Sequence, residues 1–168
     1  MASRRIFVPA VLTAGICFFV FGSSCDVAKN PCLLPTLATV NVQCVRLDAG
    51  SGKYVDTALV NANFMCLDID SARYWYYGAR RVSRFALVLA PQKDTVRWTL
   101  QVDSGFSKID TFFFVYESRL TFYSNACGYS YKYQLKQVPY TRHNLDSCSI
   151  INPEIGTKAD VQNVQIFF

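Results

Sequence analysis

Proton transfer near neutral pH calls first for histidine, and this chain holds one, His143. It stands beside Arg142 in "VPYTRHNLDSCSIINPEIGTK" (138–158), an irregular stretch with two prolines where a solvated side chain is the ordinary outcome. A serine or cysteine nucleophile would need that histidine as its base, and neither G-x-S-x-G nor H-E-x-x-H occurs. Asp68 and Asp70 in "LDIDSA" are two apart, so an extended backbone puts them on one face, where they could share calcium or act as paired carboxylates. Two solvated acids at a strand end are the commoner outcome. The expectation is a protein that is not an enzyme, with no cofactor and no metal.

The cysteines carry a second kind of chemistry. Arg4 and Arg5 precede the apolar run "IFVPAVLTAGICFFVFG" and the small residues Gly22, Ser23 and Ser24, which predicts a secretory signal peptide over 1–24, cut after Ser24. Retention as a membrane anchor is the rival, because the run approaches the ~18 residues that begin to suggest a span. A lipid-anchored Cys25 fits less well, since Gly22 stands where a branched apolar residue would be wanted. Cleavage leaves Cys25, Cys32, Cys44, Cys66, Cys127 and Cys148, an even set that predicts disulfides in an oxidising lumen or outside the cell. Their spacings of 7, 12, 22, 61 and 21 match no zinc finger or ribbon.

"ARYWYYGARRVSR" (72–84) mixes Trp75, Tyr76 and Tyr77 with Arg73, Arg80, Arg81 and Arg84. Such a patch could stack on a sugar, meet anionic lipid or form a protein interface rich in hot-spot residues. Gly78 suggests a hairpin tip, and the plain alternative is a bend whose aromatics cover the core. Losing Arg4 and Arg5 lowers the net charge from +5 to +3, too mild for a nucleic-acid partner, so protein contact ranks first.

These residues must be positioned by strands. Alternation recurs at Val40, Val42 and Cys44, at Ala58, Val60, Ala62, Phe64 and Cys66, and at Val96, Trp98, Leu100 and Val102. "FALVLA" (85–90) and "TFFFVYE" (111–117) are continuous apolar runs that read as strands buried on both faces. In "CGYSYKYQLKQV" (127–138), Cys127, Tyr129, Tyr131, Tyr133 and Leu135 share one parity, which predicts a tyrosine wall facing the interior. "VQNVQIFF" closes the chain. With turn signals between these runs, residues 25–168 are expected to form one all-β domain, an antiparallel β-sandwich or β-prism of about eight strands, disulfide-linked. Cys148 is expected to tie down the long loop.

"CGYSYKYQLKQV", the terminal "VQNVQIFF" and "RWTLQVDSGFSKIDTFFFVYES" together resemble the luminal domain of V-type proton ATPase accessory subunit S1, of the lysosome-associated membrane glycoprotein-like family, over about residues 60–168. Trp98 stands where that family has an aromatic residue. The family's cysteine would fall at Tyr133, and no N-x-S/T sequon is present. The resemblance implies a non-enzymatic luminal or secreted domain acting by protein contact, with the membrane sector of the proton pump as partner and no transmembrane span after cleavage. It also implies a link between the regions of Cys66 and Cys127. The alternative is a secreted carrier holding a lipid or other small apolar ligand between its sheets.

Overall fold

The structure is a computed structural model that describes residues 38–69, 74–102, 108–156 and 160–168, with side chains for all of these except 74–80. The expected leader, Cys25, Cys32, Asp70 and Arg73 lie outside the described residues. The strands are β1 (Thr39–Leu47), β2 (Tyr54–Asp56), β3 (Leu59–Cys66), β4 (Tyr74–Val82), β5 (Arg84–Val88), β6 (Thr95–Gln101), β7 (Asp110–Ser124), β8 (Gly128–Gln137), β9 (Ser147–Ile150), β10 (Glu154–Ile155) and β11 (Val164–Phe167). The protein is all-β in two sheets, and no helix among the described residues is long and apolar enough to cross a membrane.

The larger sheet is antiparallel, in the order β10-β8-β7-β6-β3-β4. In the smaller sheet β5 and β2 lie in tandem along one edge of β1, pairing with Thr39–Gln43 and Val45–Leu47, while β11 and then β9 lie on the other side. The β1/β11 pair is parallel, from Val42↔Val164 to Val45↔Phe167, which corrects the fully antiparallel expectation. These strands are far apart in sequence, so no tight turn forces them to run oppositely.

Alternation survives where strands are regular. Val40, Val42 and Cys44 of β1 enter the core with Val96, Trp98 and Leu100 of β6. In β3 the phase slips: Asn61 adopts φ 56°, and Leu59 and Ala62 point inward while Ala58 and Val60 are exposed. A left-handed residue of this kind, natural for asparagine, inserts one position and resets the faces. The two continuous apolar runs are buried on one face only, through Phe85, Leu87 and Leu89 and through Phe112, Phe114 and Tyr116; their other faces are half-covered. Gly78 lies inside β4, not at a hairpin tip. The chain passes from β4 to β5, and so between sheets, through Ser83, just after Arg81 at φ 67°.

The two sheets share one core. The Phe64 and Phe85 rings meet across it at 4.1 Å, and Trp98 Nε1 of the larger sheet donates to the Val88 carbonyl of the smaller at 3.1 Å. Trp98, Tyr116, Phe64, Phe112 and Phe114 are each less than 2% exposed, and burial of each stabilises by about 2 kcal/mol. These side chains pack between the two sheets.

The disulfide expectation is corrected for Cys44, Cys66 and Cys148. Cys44, Cys66 and Cys148 carry free thiols, so Cys66 is not bridged to Cys127 and no bridge joins two described cysteines. Cys44 and Cys66 do point into the core, as their parity predicts, whereas Cys127 sits in the turn between β7 and β8. Cys127 is not one of the free thiols. Inward-facing parity places thiols in a core without bringing two of them into bonding range.

Polar groups and short strands, not Cys148, hold residues 138–156, the described part of the long loop. β9 pairs with β11, β10 pairs with β8, and the fully buried Asp110 carboxylate accepts hydrogen bonds from His143 N (2.7 Å), Asn144 N (2.8 Å), Asn144 Nδ2 (3.0 Å) and Thr141 Oγ1 (3.1 Å). Asn163, 2% exposed, closes the other end: its Oδ1 accepts from Asn41 N, and its Nδ2 donates to the carbonyls of Asn152 and Glu154.

Candidate functional site

β7 is 15 residues long, but β6 reaches only from Asp110 to Val115 along it. Past Tyr116 its one described strand partner is β8, and β10 covers β8 only at Tyr133 and Gln134. The far halves of β7 and β8 therefore form a two-stranded arm beyond the six-stranded sheet. The turn at Asn125–Cys127 closes it, with Gly128 at φ 65° and Cys127 N donating to Ser124 Oγ at 3.1 Å. A three-residue loop followed by a left-handed glycine is a standard way to join two strands.

One face of the arm is apolar and open. Leu120 pairs with Tyr131 and Phe122 with Tyr129; Leu120 is 58% exposed, Phe122 51% and Tyr129 66%. The Phe122 and Tyr129 rings lie 5.2 Å apart. The row continues inward as Tyr131 stacked on Tyr133 at 6.4 Å, and Tyr133 edge-on to Tyr116 at 5.3 Å. The predicted tyrosine wall is thus corrected: only Tyr133 is buried, Tyr131 is half-buried, and Tyr129 is in solvent. Alternation shows which residues share a face, but the length of the opposing sheet decides how much of that face is covered. A two-stranded ribbon gains little stability of its own, so a row of exposed large apolar groups on one calls for a covering surface.

The opposite face is polar, with Glu117, Arg119, Tyr123, Ser130, Lys132 and Lys136. Glu117 lies 3.7 Å from Arg119 and 3.2 Å from Lys136, and the Lys132 ammonium stands 5.4 Å from the centre of the Tyr123 ring.

The other candidate residues scatter. Trp75, Tyr76, Tyr77 and Arg80 lie along β4, an edge strand, with side chains outside the described set. Arg81 is exposed, and Arg84 is exposed and 3.4 Å from Asp56. Asp68 is committed to Arg97: its carboxylate accepts from Arg97 Nη2 at 2.8 Å and from Arg97 N at 2.6 Å, and the guanidinium hydrogen bond holds its carboxyl below the usual range. His143 meets Asp110 through its backbone N–H, and its side chain is exposed. Leu120 and Phe122 escaped the sequence reading, although "RLTFYS" carries the alternation that betrays them.

Fold and site together define an all-β protein of two sheets around one core, extended by a two-stranded arm that is apolar on one face and basic on the other. Residues 60–168 match the model described as "Family of unknown function (DUF6452)", and the chain belongs to that family. No curated protein and no solved structure matches the chain.

Proposed function

We propose that this chain is a non-enzymatic β-sandwich domain of the secretory lumen or cell exterior that acts by protein contact, with the β7–β8 arm as its contact surface. The observation that carries the reading is the exposed row of Leu120, Phe122 and Tyr129 on a ribbon beyond the sheet. The partner is a protein that lays an extended apolar segment along the arm, because β8 from Gly128 to Lys132 has no described neighbour on its outer edge and can accept another strand. Location rests on the leader-like residues 1–24 alone, since the free thiols withdraw the disulfide argument. Resemblance to the S1 luminal domain makes the membrane sector of a V-type proton pump the first partner to test.

The test is capture by the tagged chain from secretory membranes, comparing the native sequence with Leu120→Ser/Tyr129→Ser and with Trp75→Ala/Arg81→Ala. The arm variant should lose the captured protein while its Tm stays within a few degrees of the parent, because exposed side chains contribute little to folding. Undiminished capture by a folded arm variant overturns the arm as the surface, and loss in the Trp75/Arg81 variant alone transfers the contact to β4.

A further inference from the structure

The cleft beside the polar face of the arm is a different feature from the exposed contact row and meets it only at the buried Tyr133. We propose that it binds a small molecule through a single carboxylate or phosphate group. The cleft has a volume of about 630 Å³, within the range of small-molecule sites. Arg119, Tyr123, Lys132 and Gln134 line it from β7 and β8, and Asn152 and Glu154 line it from β10 and the residues before it.

Three observations point to an anion. Arg119 and Lys132 are direct cross-strand partners, so two cations project side by side from one face, an arrangement that repels unless negative charge lies between them. Glu117 offsets this only partly: it is shared between Arg119 and Lys136, leaving Lys132 with no ion pair among the described residues. The third observation is the Tyr123 hydroxyl, which is buried in the lining with no hydrogen-bond partner; on the same face the Ser130 hydroxyl, two residues from Lys132, is in the same state. Buried hydroxyls of this kind are rare and destabilising, and an acceptor entering beside Lys132 and Tyr123 would satisfy the phenol while neutralising the paired cations. Glu154, the cross-strand neighbour of Gln134 on β10, repels a second anion, so the ligand carries one acidic group and turns neutral donors such as hydroxyls toward that side.

Nuclear magnetic resonance of the isotopically labelled chain tests this, with inorganic phosphate and glucuronate as probes and glucose as the neutral control. At constant ionic strength, at least one anion should saturate at or below about 10 mM, shifting amides at Arg119, Tyr123, Ser130, Lys132 and Gln134. The relative affinities of the two probes tell an isolated phosphate from a sugar acid. Arg119→Ala/Lys132→Ala should weaken binding at least about tenfold, and Tyr123→Phe more mildly. Lys132→Glu serves as a second variant: it replaces the cation pair by a cross-strand ion pair, so it should keep the fold and abolish binding. Failure of both anions to saturate, equal binding of glucose, or binding that survives Lys132→Glu would each overturn the site.

Discussion

The Tyr116 hydroxyl engages both backbone groups of Ala90, accepting from its N–H at 3.1 Å and donating to its carbonyl at 2.8 Å. This bond fixes the segment after β5, where the chain leaves the smaller sheet for β6. Tyr116→Phe keeps the buried ring and removes only the hydroxyl, orphaning the Ala90 N–H; the carbonyl retains a bond from Lys93 N at 3.2 Å. The expected cost is roughly 1–3 kcal/mol in denaturant unfolding, with an unchanged m-value. A loss below about 0.5 kcal/mol would show that water replaces the hydroxyl.

Asp110 should matter more. Its carboxylate accepts four hydrogen bonds from the 141–144 segment, two of them from backbone N–H groups. Asp110→Asn turns a donor toward those donors and should destabilise by roughly 2–4 kcal/mol, raising amide exchange at His143 and Asn144 first. Exchange that rises equally everywhere would mean that the loop is not a separate unit.

Alkaline pH should loosen the fold. Burial pushes the Cys148 thiol up from 9.0 to about 12, and burial with the nearby Asp56 charge does the same for Cys44. Burial likewise raises Tyr116 and Tyr133 from 10.0 to about 12. The native state keeps these protons after the unfolded chain has released them, so stability is whole below pH 9 and declines as pH rises from about 9 toward 12. Denaturant melts from pH 7 to 11 should show that decline, and Cys44 and Cys148 should resist iodoacetamide in the native protein at pH 8. Rapid native alkylation of Cys44 would contradict its burial.

The acid limb has two identifiable contributors among the described residues, the exposed Asp48, held down by hydrogen bonds from Ser51, and Asp68. The Arg97 hydrogen bond depresses Asp68, so its contribution is present above the unfolded carboxyl value of about 4 and is lost as pH falls through the folded one. Asp68→Asn should therefore lower stability at pH 7 and converge with the parent near pH 2. Parallel curves across that range would remove Asp68 from the account.

What the sequence alone determined is the local part: most of the strands, though not β2, β4, β9 or β10, and, where a strand is regular, which side chains share a face. Val40, Val42 and Cys44, or Val96, Trp98 and Leu100, reveal themselves because a pleated backbone alternates faces whatever packs against it. Tertiary structure decided everything that depends on what arrives from far along the chain. Tyr133 is buried and Tyr129 is not because the strands facing them run out, and no property of "YSYKY" records where that happens. Nothing local marks Asp110 for burial, which comes only when the 141–144 segment folds over it, and the bond from Asn41 to Asn163 spans 122 positions. The cysteine count predicted bridges, yet Cys44 and Cys66 remain thiols, because pairing requires two sulfurs to meet and parity supplies only a common interior. The arm follows the same logic: its alternation is written in β7 and β8, but its exposure is set by where β6 and β10 stop.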